Sequence, residues 1–214
     1  MIARAVLPSI FFFACSAAGA AVFKRDGGCN NFPTNGVSNN ADYFSLWAQY
    51  DQTGTEIPLA MGTFATSAPF TGAVLATADY SGATVGSLFQ LNNSGLVGIG
   101  YPDGNDQTAT WIAHSTEDGG PVPFALSPSG SLAGIDEDYC EVVSTDPNGS
   151  PFPGPLLAAE GTADDWSICN RTSNPAQMGL VLRAATWSAD YGYNFPTCQP
   201  VHVFLRSFTI GNEP

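Results

Sequence analysis

Two short segments of this chain carry the same pattern, and the pattern is that of a β-hairpin. Residues 89–99 read FQLNNSGLVGI and residues 124–135 read FALSPSGSLAGI. In each copy Phe and Leu two positions apart place one face of a strand inward, and a Ser-Gly step offers the positive φ of a tight turn. A second apolar run then begins the returning strand. The copies start 35 residues apart, a spacing typical of a repeated structural unit.

The rest of the chain alternates strand formers with turn formers. Strands are predicted at 43–50, 56–61, 108–114, 165–169, 178–187 and 199–210. Residues 63–84 are predicted as loops with short strands, and at most 155–161 forms one helical turn. The sequence therefore predicts an all-β fold built from repeated hairpins, either β-trefoil-like or a β-sandwich. A trefoil requires a third copy, for which Phe44-x-Leu46 is the degenerate candidate.

The N-terminus carries the pattern of a secretory signal peptide. Arg4 precedes an apolar run, and Ala18-x-Ala20 matches the small-residue cleavage pattern, so residues 1–20 are predicted to be removed. The apolar run is shorter than the roughly 20 residues that span a bilayer, which disfavours a retained anchor. Lys24-Arg25 is a dibasic processing pattern that ends a pro-segment at 21–25. We predict one disulfide-bonded domain at 26–214, secreted to the extracellular space.

The charge of the predicted domain is strongly acidic. Residues 26–214 contain all 19 acidic residues of the chain but only Arg171, Arg183 and Arg206, a formal net charge of −16. Such a surface repels nucleic acid and anionic membranes, so we expect neither as a partner and expect a monomer. The surface approaches neutrality only in acid, which suits an acidic extracellular setting. Residues 26–214 also contain no lysine. That would suit a protein that escapes lysine-directed modification inside a host cell.

Four cysteines remain after the predicted cleavage: Cys29, Cys140, Cys169 and Cys198. An even number in a secreted chain predicts disulfides, with three possible connectivities. We favour Cys169–Cys198, which would tie two late strands, and Cys29–Cys140, which would hold the N-terminal segment. A zinc site is disfavoured because the chain contains no C-x-x-C pair.

No pattern of catalytic residues is present in the sequence. His114 and His202 both fall in predicted strands, where a structural role is favoured over metal ligation. Neither Ala21 nor Asp26 gives the N-terminal histidine that a copper-dependent polysaccharide oxygenase needs. The chain lacks the Gly-x-Ser-x-Gly of serine hydrolases. We therefore expect no catalytic residue, no metal site and no cofactor. The many carboxylates leave a small acid-active carbohydrate hydrolase as the alternative.

The acidic run Asp136-Glu137-Asp138, with Glu141 close behind, has the hard oxygen ligands that Ca²⁺ prefers. The run lacks the D-x-D-x-D-G pattern of calcium loops, so an exposed acidic turn before Cys140 is favoured over a calcium site.

One polar-aromatic loop is the candidate binding surface. Tyr191, Tyr193 and Asn194 lie between two predicted strands, just before Cys198. Loops held by a rigid scaffold commonly carry binding residues, and exposed tyrosines can stack on sugar rings.

Three sequons predict N-glycosylation. They begin at Asn92, Asn148 and Asn170, and the second is the poorer acceptor because Pro151 follows it. Asn92 lies in the predicted turn of the first repeat, where a glycan is sterically easy.

Several short motifs taken together resemble a known class of protein. They are the signal and dibasic site, FSLWA at 44–48, the central hairpin, and WSIC at 166–169 followed by Cys198. In these motifs the chain resembles small secreted proteins of filamentous fungi, and within them the cell-wall and IgE-binding, phialide-associated type. That resemblance implies a non-catalytic glycoprotein acting at the fungal cell wall or on a host, and it transfers no catalytic residue. The partner would be cell-wall polysaccharide or a host protein. A secreted host-directed effector is the further alternative.

Overall fold

The computed structural model describes residues 29–30, 32, 36–63, 72–78, 84–100, 108–127, 129–143, 151–172, 175–186 and 191–207. The predicted signal peptide at 1–20, the pro-segment at 21–25 and the sequon at Asn148 lie outside these residues. Within them the chain forms fourteen strands and a single 3-10 turn at Phe195–Thr197, with no α-helix. The all-β prediction is confirmed.

The strands are β1 (Val37–Ser38), β2 (Ala41–Tyr50), β3 (Glu56–Thr63), β4 (Ala73–Thr77), β5 (Thr84–Gly86), β6 (Leu88–Asn92), β7 (Gly95–Gly100), β8 (Ala109–Ala113), β9 (Pro123–Ser127), β10 (Tyr139–Val142), β11 (Leu156–Ala159), β12 (Trp166–Asn170), β13 (Met178–Leu182) and β14 (Gln199–Ser207).

Nine of these strands pair into a closed antiparallel ring. The order is β2, β6, β7, β8, β9, β4, β13, β12 and β14, and β14 pairs again with β2. The remaining strands attach to this ring. Strand β3 pairs with β2, β4 and β5. Strand β11 pairs with β14 and with β10, and β10 pairs with β1. The ring places apolar side chains on its inner face because successive residues of a strand point to opposite sides.

The β2–β14 pair shows how the inner face is built. Seven consecutive residue pairs run from Val201 opposite Tyr50 to Ser207 opposite Phe44. Val201, Val203 and Leu205 alternate with outward residues, and all three are buried. This is the apolar alternation that the sequence predicts for the last strand.

Three phenylalanines of the repeated pattern meet in the core. The rings of Phe44 and Phe89 are stacked with centroids 6.3 Å apart, and Phe89 lies 6.2 Å from Phe124. All three side chains are buried. Phe89 comes from the first copy, Phe124 from the second and Phe44 from the degenerate third. The related sequence positions therefore supply one continuous aromatic contact.

The first copy forms the predicted hairpin, β6–β7, but its turn differs from the prediction by one residue. The positive φ angles belong to Asn93 (48°) and Ser94 (65°), which is the pattern of a type I′ turn. Gly95 instead pairs with Asn92 as the first residue of β7. A Cβ at Gly95 would lie 2.1 Å from Ile135 Cδ1, so a larger residue there would require the Ile135 side chain of the second copy to move.

The second copy does not form a hairpin of its own, and that part of the prediction is wrong. Its strand, β9, pairs with β8 along Phe124–Ser127 on one edge and with β4 at Pro123 and Phe124 on the other. Residues 131–138 are not a strand, so they form no returning strand of a hairpin. Leu126 is 41% exposed, whereas the equivalent Leu91 is 2% exposed.

Two further expectations are corrected, at residues 155–161 and at the end of β13. Residues 155–161 hold a strand, β11, because pairing with β10 and β14 overrides the helical preference of Leu and Ala. The region predicted as loops with short strands does contain a short strand, β4, which is fully buried. The strand predicted at 178–187 ends at Leu182, because Arg183 has a positive φ of 47° and its side chain binds Asp118 and Asp165.

Both favoured disulfides are confirmed. Cys29 is bonded to Cys140 across 111 positions, and Cys169 is bonded to Cys198 across 29. The first bond holds the N-terminal segment against β10, where the Ser94 hydroxyl donates to the Cys29 sulfur at 3.0 Å. The second joins β12 to the residue that precedes β14. Disulfides of this kind indicate an oxidising environment.

Replacing Tyr139 with phenylalanine is expected to lower the free energy of unfolding by about 1–3 kcal/mol. Tyr139 is fully buried, and burial raises the pKa of its phenol well above the ordinary value. Its hydroxyl donates to the His114 carbonyl at 2.8 Å and accepts from Thr116 Oγ1 at 2.9 Å, so the variant leaves both groups unpaired. Denaturant unfolding measures the loss. Tyr43→Phe, at an exposed position, should change stability by no more than about 0.5 kcal/mol, and equal losses would contradict the assignment.

Candidate functional site

A β-bulge interrupts the pairing of β2 with β6. Ala41 is opposite Leu91 and Phe44 is opposite Phe89, so β2 has two residues, Asp42 and Tyr43, where β6 has only Gln90. A bulge of this kind directs consecutive side chains to the same side of the sheet, and bulges are frequent beside binding and active sites. Asp42 and Tyr43 are both exposed, and Tyr43 shows 45% of its surface.

Two neighbouring surface pockets lie beside the bulge and share Ala41 and Asp42 in their linings. One has a volume of about 250 Å³ and the other about 280 Å³. We call the pair the bulge groove and each pocket one end of it. Its first end, the amide end, is lined by Asn40, Ala41, Asp42, Gln90, Leu91 and Asn92. Its second end, the glutamate end, is lined by Ala41, Asp42, Tyr43, Phe44, Glu141, Pro155, Leu205 and Ser207.

Two carboxylates of the bulge groove, Asp42 and Glu141, are unpaired, whereas most of the other described acids are paired. The paired or hydrogen-bonded acids are Asp51, Glu56, Glu117, Asp118, Asp136, Asp138, Asp164 and Asp165. In the described part of the chain, Asp42 and Glu141 make no hydrogen bond or ion pair, and both line the groove. Their oxygens therefore remain available to a ligand, as buried or half-buried polar groups normally are not.

The pKa of Glu141 is raised above its ordinary value by burial. Glu141 lies on β10, where it pairs with Ser38 on one side and with Leu157 on the other. Partial removal from water disfavours its charged form, and no opposite charge offsets that effect in the described residues. A protonated Glu141 donates as well as accepts a hydrogen bond, so the glutamate end can present either function to a ligand.

Replacing Glu141 with glutamine is expected to stabilise the protein at pH 7 but not in acid. Because the folded pKa is raised, the folded state binds the proton more tightly than the unfolded state. The protein therefore loses stability as the pH rises from the pKa of Glu141 in the unfolded state, about 4.3, through its higher pKa in the folded state. Glutamine lacks this charge, so its midpoint of denaturant unfolding should exceed that of the wild type at pH 7 and match it near pH 3.5. Glu137→Gln, at an exposed position, should show no such pH-dependent difference. A Glu141 variant less stable at pH 7 would contradict the argument.

The amide end presents side chains that donate and accept. Asn40 is held in place, because its Oδ1 accepts from the Asn93 backbone at 3.0 Å and its Nδ2 donates to Asn39 Oδ1 at 2.6 Å. Gln90 and Asn92 alternate with the buried Phe89 and Leu91, so they face outward from β6. Among the described residues the side-chain amide of Gln90 has no hydrogen-bond partner, so it leaves one donor group and one acceptor group beside Asp42.

The predicted binding loop is largely engaged within the protein. Tyr193 is only 5% exposed, packs with Cys169 and Val181, and its hydroxyl accepts from the Ala185 amide at 3.1 Å. Tyr191 is half-buried and donates to Glu117 at 2.5 Å. Asn194 is exposed and precedes the 3-10 turn, with its backbone amide bonded to the Asn170 carbonyl. Of these three residues, only Tyr191 and Asn194 are therefore accessible to a ligand.

The two histidines contact different aspartates. His114 Nδ1 lies 3.3 Å from Asp136, whereas His202 lies between Asp51 (2.7 Å) and Asp164 (3.2 Å). These contacts are consistent with the structural role favoured for both.

The acidic cluster is tied to neighbouring side chains. Asp136 accepts from the Ser115 amide at 2.9 Å, and Asp138 accepts from the Ser115 hydroxyl at 2.6 Å. Glu141 lies further along on β10 and lines the bulge groove. Within the described residues, no three His, Cys, Asp or Glu side chains are placed to hold a metal ion.

Two of the three predicted sequons lie in described residues. Asn92 is the last residue of β6, directly before the turn, and its side chain lines the amide end of the bulge groove. Asn170 is the last residue of β12 and lines neither end of that groove.

A second groove, of about 390 Å³, lies at the start of β12 and is the weaker candidate. It is lined by Asp164, Asp165, Trp166, Ser167, Arg183, Ala184 and Pro200. Its charges are already paired, since Arg183 binds Asp165 at 3.2 Å and Asp164 contacts His202. A ligand would have to displace these pairs.

Asp42, Tyr43 and Gln90 are absent from the sequence-based candidates, although the sequence contains a sign of them. Strict alternation from Phe44, Leu46 and Ala48 back along β2 would turn Asp42 toward the core. A carboxylate at an inward position conflicts with burial, and a bulge resolves that conflict. The interrupted alternation therefore indicates the bulge, but it does not show which strand faces it.

No protein-family model, curated protein or solved structure matches the chain. The resemblance to fungal wall proteins accordingly rests on the sequence motifs alone. No helix in the described part of the chain is long and apolar enough to cross a membrane.

Proposed function

We propose that this chain is a secreted, N-glycosylated protein that binds polysaccharide through the bulge groove, without catalysing a reaction. Its place of action would be the fungal cell wall or a host surface. The observation that carries the proposal is the bulge, which turns Asp42 and Tyr43 outward together beside a groove whose carboxylates are unpaired. The disulfides support a secreted location.

The chemistry of the groove suits sugars. Sugar hydroxyls both donate and accept hydrogen bonds, and the groove offers carboxylate oxygens at Asp42 and Glu141 and an amide at Gln90. The exposed ring of Tyr43 supplies an apolar face with a polar tip, on which a sugar ring can stack. A groove with a few placed polar groups and one aromatic side chain is the general form of a small-ligand site.

Depletion from solution tests the proposal. Purified protein is mixed with insoluble chitin, β-glucan or plant cell wall at about pH 5, close to the carboxylate pKa values where the acidic surface discharges. We expect depletion by at least one polymer without release of reducing sugar. Tyr43→Ala should weaken binding about tenfold, the loss expected for a central aromatic contact. Phe195→Ala, another exposed aromatic, should leave it unchanged. Equal binding by both variants would place the site elsewhere, and no depletion would refute polysaccharide binding.

An acid-active carbohydrate hydrolase is the second candidate, favoured by Glu141. A carboxyl with a raised pKa beside a second carboxylate, Asp42, is the pairing that glycoside hydrolysis uses. Release of reducing sugar by the wild type, abolished by Glu141→Gln while depletion persists, would establish this candidate over simple binding.

A host-directed effector is the remaining candidate. If none of the three polymers depletes the protein or releases sugar, the effector is favoured, and its partner would be a host protein. Expression that peaks during infection, rather than during sporulation, would also favour it over a wall role.

A further inference from the structure

The glycan acceptor Asn92 lies inside the bulge groove. Its side chain lines the amide end together with Asn40, Asp42 and Gln90. Because Gln90 and Asn92 are two residues apart on β6, they project from the same face of the strand. A sugar linked to the Asn92 amide would therefore begin within the groove and next to the unpaired Asp42.

The backbone around Asn92 fixes the direction in which a glycan leaves. Asn92 pairs with Gly95 across the two-residue turn of β6–β7, and Asn93 and Ser94 both have positive φ. Ser94, the third residue of the sequon, is 7% exposed and bonded to the Cys29 sulfur. The turn is also joined to the start of β2, because the Asn93 amide donates to Asn40. The acceptor thus sits on a rigid hairpin end rather than on a free loop.

We propose that the N-linked glycan on Asn92 occupies the amide end of the bulge groove and limits the binding of external polysaccharide there. This inference rests on the proposed polysaccharide binding. The amide-linked N-acetylglucosamine residues of the glycan present the same hydroxyl and acetamido groups that the groove would bind in chitin. The glutamate end, with Tyr43 and Glu141, stays open to external ligand.

Tethering gives the glycan an advantage over a free sugar. A ligand held by a short link has an effective concentration in the millimolar range. A free ligand must compete against that concentration at the amide end, and its affinity falls about tenfold when the tethered sugar binds there with a dissociation constant about tenfold below that concentration. Removing the glycan is therefore expected to strengthen binding to insoluble chitin by about tenfold.

Two variants remove the Asn92 glycan by different changes. Asn92→Gln deletes the acceptor, and Ser94→Ala deletes the sequon while leaving the Asn92 side chain in the groove. Ser94→Ala also loses the bond to the Cys29 sulfur, so the two variants share only the loss of the glycan. Asn170→Gln is the matched control, because it removes a glycan from a residue that does not line the groove.

The experiment compares binding isotherms on insoluble chitin for all four proteins, made in a glycosylating host. Mass spectrometry of the wild type measures occupancy at Asn92 and Asn170. We expect occupied Asn92, tighter binding by Asn92→Gln and Ser94→Ala, and unchanged binding by Asn170→Gln.

The other outcomes distinguish a failure of the glycan inference from a failure of the proposed function. Wild-type affinity in both Asn92-site variants, or an unoccupied Asn92, would overturn the inference while leaving polysaccharide binding intact. Tighter binding by Asn170→Gln as well would indicate a general effect of glycan bulk and would also overturn it. No binding to chitin by any of the four proteins would overturn the inference, and it would refute the proposed function as well if β-glucan and plant cell wall also fail to deplete the protein.

Discussion

Replacing Cys29 and Cys140 together with alanine is expected to lower the free energy of unfolding by about 4.8 kcal/mol. The bond closes a loop of 111 positions, and a cross-link between distant residues removes the most conformational freedom from the unfolded chain. A loss of this size is comparable to the total stability of many domains. Denaturant unfolding at pH 5, with the second disulfide intact, measures it.

The second disulfide provides the control. Replacing Cys169 and Cys198 with alanine removes a bond that closes only 29 positions, so the expected loss is smaller, about 3.6 kcal/mol. Each disulfide has one cysteine within a strand, Cys140 in β10 and Cys169 in β12, which makes the two variants comparable. A larger loss from the shorter loop would contradict the loop-length argument and would place the stabilisation in the native contacts of the bond.

Replacing Phe89 with alanine is expected to lower the free energy of unfolding by about 3–5 kcal/mol. Phe89 is the central member of the three-phenylalanine contact, with Phe44 and Phe124 on either side, and is fully buried. Removing the Phe89 side chain loses buried apolar surface. It also leaves a cavity between the side chains of Phe44 and Phe124, whose positions are fixed by the surrounding strands. Denaturant unfolding and thermal unfolding both measure this loss.

The repeated pattern supplies a control for the same experiment. Leu91 and Leu126 occupy equivalent positions in the two copies, yet Leu91 is 2% exposed and Leu126 is 41% exposed. Leu91→Ala should cost about 2–5 kcal/mol, whereas Leu126→Ala should stay within about 0.5 kcal/mol. Similar costs at the two leucines would mean that the copies are structurally equivalent, which the strand pairing contradicts.

Much of the fold follows from local patterns that tertiary contacts do not alter. The alternation of Val201, Val203 and Leu205 predicts β14, and the run around Phe44 and Leu46 predicts β2. These strands bury one face each, so alternation alone identifies them. Of the three connectivities that the sequence allows, the favoured one, which ties two late strands and holds the N-terminal segment, is the one observed.

The errors concern properties that depend on distant partners. The second copy forms no hairpin, and its strand β9 instead pairs with β8 and with β4, which is far from it along the chain. Leu157 and Ala158 form a strand rather than a helical turn because β10 and β14 are beside them. The bulge at Asp42 requires that β6 be opposite β2. A local pattern states what a segment can form, while strand pairing decides what it does form.

Closure of the ring by β14 has a consequence for synthesis of the chain. β14 pairs with β2, β11 and β12, and it is the last strand of the described chain. Until it emerges from the ribosome, each of those three strands presents an unpaired edge, the kind of surface on which chains aggregate. We therefore expect a product that stops before residues 199–207 to be prone to aggregation, because the edges of β2, β11 and β12 stay unpaired.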